Sequence, residues 1–489
     1  MLFLGDIMLA RNVLKERNDR QADPWRDFDS LFHRSQWVMG NFEGAIGPSA
    51  DCLADPPGPC FAVPESLAAD LKHAGITAVS LANNHAMDLG AAGLRRTREV
   101  LLGNGLVPLD FGTSPWFRDI GGRKVAFLCL TLAPGKDGVS QALPSIEAAR
   151  KFRLARRFAE RVVVFAHWGT ELRDWPNAEQ IRAAGWMVRR GADLILGAHP
   201  HVVQAPACVG GTPVFYSLGN HLFDQKYPET KLGLIADCAL GSVGFSCRSL
   251  WTEAPLGGFY PKPKSAGAKD AVGTICPEPK ASPASAVRGA GDDGKTDALA
   301  LESIWSGGAA AYRWRAAATG GKPVTWESRA DQVLSAAGFR LRGKPGKAFL
   351  FRLERHYSPL DKESAPRPYV YELTESGPIA RWRGSGLAWP LLDADMLPGN
   401  DEGVLCALHR GDSFLAPDPG TADTRLAAYR WNGFGFNLIA DAYRQAEKGR
   451  SVPESAGTGP ERGVPGSEKA EAGPENRWIT ECREVLAGD

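Results

Sequence analysis

Six short apolar runs, each discharging polar residues at its carboxyl end, constrain this chain more than any other feature. Residues 2–4 lead into Gly5-Asp6, 37–39 into Gly40-Asn41-Phe42-Glu43-Gly44, and 76–81 into Ala82-Asn83-Asn84-His85-Ala86-Met87-Asp88. Residues 162–165 lead into Ala166-His167-Trp168-Gly169-Thr170-Glu171, 194–196 into Gly197-Ala198-His199-Pro200-His201, and 214–218 into Gly219-Asn220-His221. A short uninterrupted apolar run bounded by glycine reads as a strand buried on both faces. Helical patterns lie between several of these runs, so this half of the chain is α/β, the class in which ligands bind beyond the carboxyl ends of strands.

Histidines 85, 167, 199, 201 and 221 are five of the nine in the chain, and all follow such strands directly. Solvated histidines would be placed without regard to strand ends. Converging strand ends carrying imidazole, carboxylate and amide oxygen instead predict one metal-centred site. With no thiolate among them, the donors suit Mn, Fe, Zn or Co better than a structural zinc. Two ions sharing one bridging carboxylate can activate water and stabilise a displaced phosphoryl group. A histidine beside the ions but not bound to them can protonate the leaving oxygen.

Local signals place the rest. Asn177 with Gln180 is a capping-box pattern, Asp88 is placed to cap the helix that follows it, and 150–161 reads as a helix with a solvated basic face. Residues 252–297 are rich in Pro, Gly, Ala and Ser and read as a linker or long loop between 1–251 and a β-rich domain at 298–441. Within that domain, aromatic-bearing runs separated by turn signals predict an antiparallel meander, while 299–305 resembles a helix start. Trp382, Trp389 and Trp431 read as core aromatics, with a carbohydrate-stacking face as the alternative. Residues 442–489 read as a mostly disordered tail.

A net charge of +1 over 489 residues argues against recognition of nucleic acid by bulk electrostatics. No apolar run is long enough for a transmembrane helix. The start MLFLGDIMLAR lacks a basic leader region, so the chain as given reads as soluble and cytoplasmic, and as exported or membrane-associated if its N-terminus is truncated. Nine scattered cysteines without a C-x-x-C predict mostly reduced thiols, although Cys52 and Cys60 bracket a Pro-rich loop and could pair in an exported protein.

In their order, GDIML, NFEG, LANNHAMD, FAHWGTE, GAHPHVVQ and YSLGNHLFD resemble the CapA-type proteins of poly-gamma-glutamate capsule synthesis, which are related to the calcineurin-like metallophosphoesterases. The resemblance covers residues 1 to about 250. It implies a layered α/β sandwich of the calcineurin-like type, with the antiparallel β-rich domain C-terminal to it. It further implies that Asp6 is the first-strand ligand, that Glu43 (or, in its stead, Asn41) bridges, and that Asn84 is the amide ligand beside the proton donor His85. His167 and His199 then match ligands of the second metal and His201 a ligand of the first, with Asn41, Asn83, Glu171, Asn220 and His221 as supporting residues.

One departure stands out. Met8 occupies the position where phosphoesterases of this kind carry a histidine, and a thioether is a poor ligand for a hard divalent ion. One ion is therefore expected to be held near Asn84, His167 and His199, and a weaker one near Asp6 and His201. The implied function is a metal-dependent hydrolase of phosphoesterase type acting on a phosphoryl-containing or capsule-related polymer. The alternative is a non-catalytic metal-binding accessory protein of capsule synthesis or export, working with other capsule-synthesis proteins.

Overall fold

The computed structural model describes residues 1–20, 23–54, 58–138, 140–242, 244–264, 276, 299–306, 309–317, 323–329, 333–341, 347–358, 363–383, 387, 391–397, 403–410, 424–433, 435–444, 479–483 and 486. Most of the expected linker, the stretch 445–478 of the expected tail, and Trp389 lie outside these residues. The chain divides into two compact units, the first comprising 1–289 with 300–314 and 327–331, the second comprising 290–299, 315–326 and 332–489.

The first unit is built on two sheets. In one, Leu2–Ile7, Val38–Phe42, Ala78–Ser80 and Val107–Leu109 run parallel, Asn220–Leu222 pairs with Leu2–Ile7, and the hairpin Leu232–Leu240 with Phe245–Glu253 continues the sheet antiparallel. In the other, Arg123–Thr131, Arg161–His167, Leu194–Ala198 and Thr212–Phe215 run parallel between the antiparallel edge strands Trp116–Ile120 and Ala207–Val209. The converging strand ends that carry the donors are thus shared between two sheets.

Side-chain alternation explains why these strands are apolar throughout. Phe3, Met39 and Ala78 point into a core shared with Phe127, Phe165, Leu196 and Phe215 of the second sheet. Leu2, Leu4, Val38 and Phe42 point the other way, against Val13, Phe32, Leu71 and Leu101 of the helices Arg11–Arg20, Asp29–His33, Leu67–His73 and Gly90–Gly103. Each such side chain contributes about 1.5–3 kcal/mol by leaving water. Beside the second sheet, the helices Ile146–Phe158 and Ala178–Arg189 meet through Phe152 edge-on to Trp186 at 5.6 Å. The Asn177–Gln180 capping box forms. The basic helix is less solvated than its sequence suggests, since Arg150 is buried.

Two glycines ahead of the donor clusters are required by close approach. A Cβ on Gly5 would lie 1.8 Å from the Gly219 carbonyl oxygen, and one on Gly197 would lie 2.0 Å from that of Tyr216. Backbone of 216–219 therefore runs against a strand end of each sheet, which draws the two sets of donors together.

The region 299–305 is a strand, Ala300–Ser306, not a helix. It packs within the first unit: Ser303 Oγ accepts from the Phe117 amide at 2.6 Å, the Tyr312 hydroxyl donates to the Pro115 carbonyl at 3.1 Å, and Trp116 lies 5.4 Å from Trp305. In the second unit two antiparallel meanders follow in chain order. Val333–Arg340, Ala348–Ser358, Glu363–Thr374 and Gly377–Arg383 form one, and Leu391–Met396, Val404–Arg410, Thr424–Trp431 and Phe436–Arg444 the other. Phe351, Leu353, Leu405 and Ala427 fill a core common to both. Trp431 is buried there, with Trp382 edge-on at 6.3 Å, so these two are core aromatics.

The expectation of reduced thiols is overturned. Disulfides join Cys52 to Cys60, Cys208 to Cys276, Cys238 to Cys247 and Cys406 to Cys482, leaving buried Cys129 as the free thiol. Scattered spacing concealed them because pairing is set by the fold. Cys238 and Cys247, for instance, stand directly opposite each other in their hairpin.

Candidate metal centre

Register sets the first set of donors. Asp6 stands beside Asn41 on one neighbouring strand and beside Asn220 on the other, while His167 stands beside Ala198, one residue before His199. Period-2 alternation sends Asn41 and Glu43 to the same side, and Phe42 between them into the core. Asp6, Asn41, Glu43 and His167 are all fully buried.

Asn41 is the hub. Its Nδ2 donates to Asp6 Oδ1 at 2.8 Å and reaches Glu43 Oε2 at 3.3 Å and His167 Nδ1 at 3.2 Å, while its Oδ1 accepts from Asn83 Nδ2 at 3.1 Å. An amide N–H facing Nδ1 leaves the His167 proton on Nε2, which lies 2.8 Å from Asn84 Oδ1. Asn83 also donates to the Phe42 carbonyl at 2.8 Å and accepts from the His85 amide at 3.0 Å, which fixes the turn carrying Asn84 and His85.

The second histidine pair is aimed by unusual backbone. His199 and His201 have φ of 97° and 59°, a region that costs a bulky residue about 1–3 kcal/mol and clusters at functional sites. The His199 amide donates to Asp6 Oδ2 at 3.2 Å. His201 Nδ1 lies 3.0 Å from Asn220 Oδ1 and 3.2 Å from Asp6 Oδ2. Asn220 is itself oriented by donating to Gln225 Oε1 and the Thr230 carbonyl, so His201 keeps a proton on Nδ1, and Nε2, 3.6 Å from Glu43 Oε1, is the nitrogen that would exchange its proton for an ion.

Donor atoms of Asp6, Glu43 and His167 lie within 4.8 Å of one another, and so do those of Glu171, His199 and His201. The expected pairs are close as well: His167 Nε2 lies 2.8 Å from Asn84 Oδ1, the His167 and His199 rings lie 4.6 Å apart, and His201 Nδ1 lies 3.2 Å from Asp6 Oδ2. Glu171 is exposed, whereas the other five residues of the two trios are buried. Glu43 Oε1 and His199 Nδ1 are buried without a hydrogen-bond partner among the described residues. Such atoms are costly unless something coordinates them, and both belong to residue types that bind divalent ions.

The electrostatics fit a cation. Burial pushes Glu43 well above the usual carboxylate range, against the pull of the His201 charge and with Asp6 adding to the rise. Asp6 is held below its ordinary value despite burial, because His201 bonds to it and faces it with positive charge. Burial alone would lower His201, yet the Glu43 and Asp6 carboxylates hold it at about 9. His199 is lowered to about 4 by burial and by His201, and His167 is lowered well below its normal value by burial and its histidine neighbours. A divalent ion would replace the proton as the partner of these carboxylates.

His85 stands apart from both groups. Its Nδ1 is 2.9 Å from Asp88 Oδ2, its ring stacks on Phe61 at 3.9 Å between centroids, and its Nε2 is 3.9 Å from Glu43 Oε1. Asp88 is not the cap expected of it: Leu89 occupies that position without a side-chain bond, while Asp88 Oδ2 also accepts from the Phe61 amide at 2.7 Å. The contacts that Asp88 and Phe61 make with His85 are ones that strand-end reasoning missed. A carboxylate three residues beyond a histidine was the available signal.

Two expected neighbours lie elsewhere. His221 follows Asn220 on an extended strand and so points to the opposite face, where its ring lies 5.3 Å from Phe28 and 6.0 Å from Phe32. Met8 is fully buried in the same helix-side core, and its Sδ accepts from the Ala10 amide at 3.1 Å.

Comparison with known proteins bears on the same region. The family model described as bacterial capsule synthesis protein PGA_cap matches residues 1–225. The chain is 34% identical over 246 residues to the PGA biosynthesis protein CapA of Bacillus subtilis (strain 168), which covers 47% of this chain and 64% of that protein. It is 32% identical over 255 residues to the capsule biosynthesis protein CapA of Bacillus anthracis, covering 47% of this chain and 61% of the relative. The chain thus spans less than two thirds of either relative.

Proposed function

We propose that this chain, whose residues 1–225 belong to the bacterial capsule synthesis protein PGA_cap family, is a metal-dependent hydrolase of phosphoesterase type on a calcineurin-like fold. Its substrate is a phosphoryl-containing or capsule-related polymer, the second alternative being in line with the names of the two relatives. The observation that carries the reading is His85, a histidine held by a buried carboxylate beside the donor groups and outside both of them. A purely structural ion site has no use for it.

Asp6, Glu43, Asn84, His167, His199 and His201 would hold two divalent ions, of Mn, Fe, Zn or Co. Bound there, such ions supply an activated water and charge stabilisation for the displaced phosphoryl group. Asn41 spaces Asp6, Glu43 and His167. Asp88 fixes the His85 ring through Nδ1 and leaves Nε2 on the Glu43 side, from which it can pass a proton to a leaving oxygen. Four disulfides further support maturation in an oxidising compartment rather than the cytoplasm.

Metal analysis of purified protein, together with a panel of phosphoester substrates, tests the proposal. His85→Ala should retain metal and melting temperature while turnover falls by roughly 10²–10⁴-fold, and His167→Ala should lose metal and turnover together. Equal turnover of His85→Ala and wild type on the best substrate would instead favour the non-catalytic accessory role.

A further inference from the structure

We propose that Glu171 is a metal ligand, completing with His199 and His201 a second, solvent-facing ion site. The inference rests on the metal-binding reading above and adds a ligand to it. Donor atoms of these three residues lie within 4.8 Å of one another, although Glu171 belongs to an exposed loop and the histidines are buried. Such proximity could be incidental for a surface carboxylate. The loop, however, is tied to the histidine turn by its own hydrogen bonds.

Leu172, directly after Glu171, has φ of 60°, so the left-handed backbone of the histidine turn recurs here. The two turns are tied together: the Leu172 amide donates to the Pro200 carbonyl, between the two histidines, at 2.8 Å. Buried Gln204 anchors the rest of the loop by donating to the carbonyls of Arg173 and Trp175 at 2.9 and 3.0 Å, and is itself held by Gln180 Nε2 at 2.9 Å. Glu171 is therefore carried on the same hydrogen-bonded unit as the imidazoles. Leu172, His199 and His201 all hold left-handed backbone, at a cost of about 1–3 kcal/mol each.

The donor chemistry is complementary. His201 has its Nδ1 occupied by Asn220 and presents Nε2, and His199 Nδ1 is buried with no hydrogen-bond partner among the described residues. Asp6 and Glu43 face His201 from the buried side, at 3.2 and 3.6 Å, and Glu171 adds a carboxylate to the His199–His201 pair from the solvent side. Two imidazoles and a carboxylate suit zinc, manganese, iron or cobalt and leave coordination positions open. Because Glu171 is exposed, those positions face solvent on its side, where a substrate oxygen can enter.

The test uses full-length protein stripped with chelator and titrated by calorimetry with Zn²⁺ or Mn²⁺ alone, with bound metal counted by mass spectrometry. Wild type should show two classes of site. Glu171→Gln should weaken one class by tenfold or more and leave the other unchanged, with an apo melting temperature equal to wild type. Glu171→Asp should recover part of the affinity, and the visible spectrum of the Co²⁺-loaded protein should change in Glu171→Gln. Two unaltered classes in Glu171→Gln overturn the proposal while sparing the metal reading. Failure of wild type to bind either metal overturns both.

Discussion

His221→Phe gives a sharp test of how burial, rather than function, treats one of the strand-end histidines. Both ring nitrogens of His221 are buried and lack hydrogen-bond partners among the described residues, with the ring against Phe28 and Phe32. Burial lowers its pKa to about 3, against about 6.5 in an unfolded chain. Between those values the unfolded chain binds a proton that the folded one refuses, so stability falls as pH drops through this window. The slope approaches about 1.4 kcal/mol per pH unit for one proton, or about 2 kcal/mol of loss between pH 6.5 and 5. Phenylalanine fills a similar volume against the two aromatic rings and cannot titrate. At pH 7 the variant should be more stable by about 1–3 kcal/mol, through removal of unsatisfied buried polar atoms. Its advantage should then grow by about 2 kcal/mol at pH 5. Urea unfolding of both proteins at pH 7, 6 and 5, in chelator, measures this, because groups that titrate in both cancel in the difference. Parallel pH dependences, or a variant less stable at pH 7, would refute the reasoning.

Asp88→Asn should keep metal content while lowering turnover and altering the pH–rate profile, since it changes the partner of His85 Nδ1 and leaves both donor groups in place; an unchanged profile would count against Asp88 as the positioning residue. Cys52→Ser combined with Cys60→Ser should cost about 2–3 kcal/mol for so short a loop. It should also reduce turnover at unchanged metal content, because Leu53 and Phe61 at the two ends of that loop both bond to Asp88 and Phe61 stacks on His85; wild-type kinetics in the double variant would speak against this role. A fragment ending at residue 250 lacks Ser303, Tyr312 and the disulfide partner Cys276, and leaves Phe117 uncovered. It should melt below a fragment ending at residue 331 when the two are scanned side by side, and equal melting temperatures would show that the returning strand adds nothing.

The sequence by itself determined the strands, the residue types at their ends and the side of the fold on which chemistry gathers. Strand polarity is written locally, in apolar runs closed by Gly5, Gly40, Gly197 and Gly219, and parallel neighbours then bring their carboxyl ends together. The placement of Asp6, Glu43, Asn84, His85, His167, His199 and His201 at or just beyond strand ends was legible for that reason. Orientation was not legible, because it depends on which face of a strand meets the core: Asn220 reaches His201 while His221, one residue on, is buried against Phe28. Partnership across the chain was equally hidden. Asp88 read as a helix cap until Phe61 and His85 came to meet it, and Cys208 read as a lone thiol until the fold brought Cys276 to it. Tertiary structure alone also split the donors over two sheets and bent His199 and His201 into left-handed backbone. That backbone, tied to the Glu171 loop through Pro200, decides which of the donors can meet.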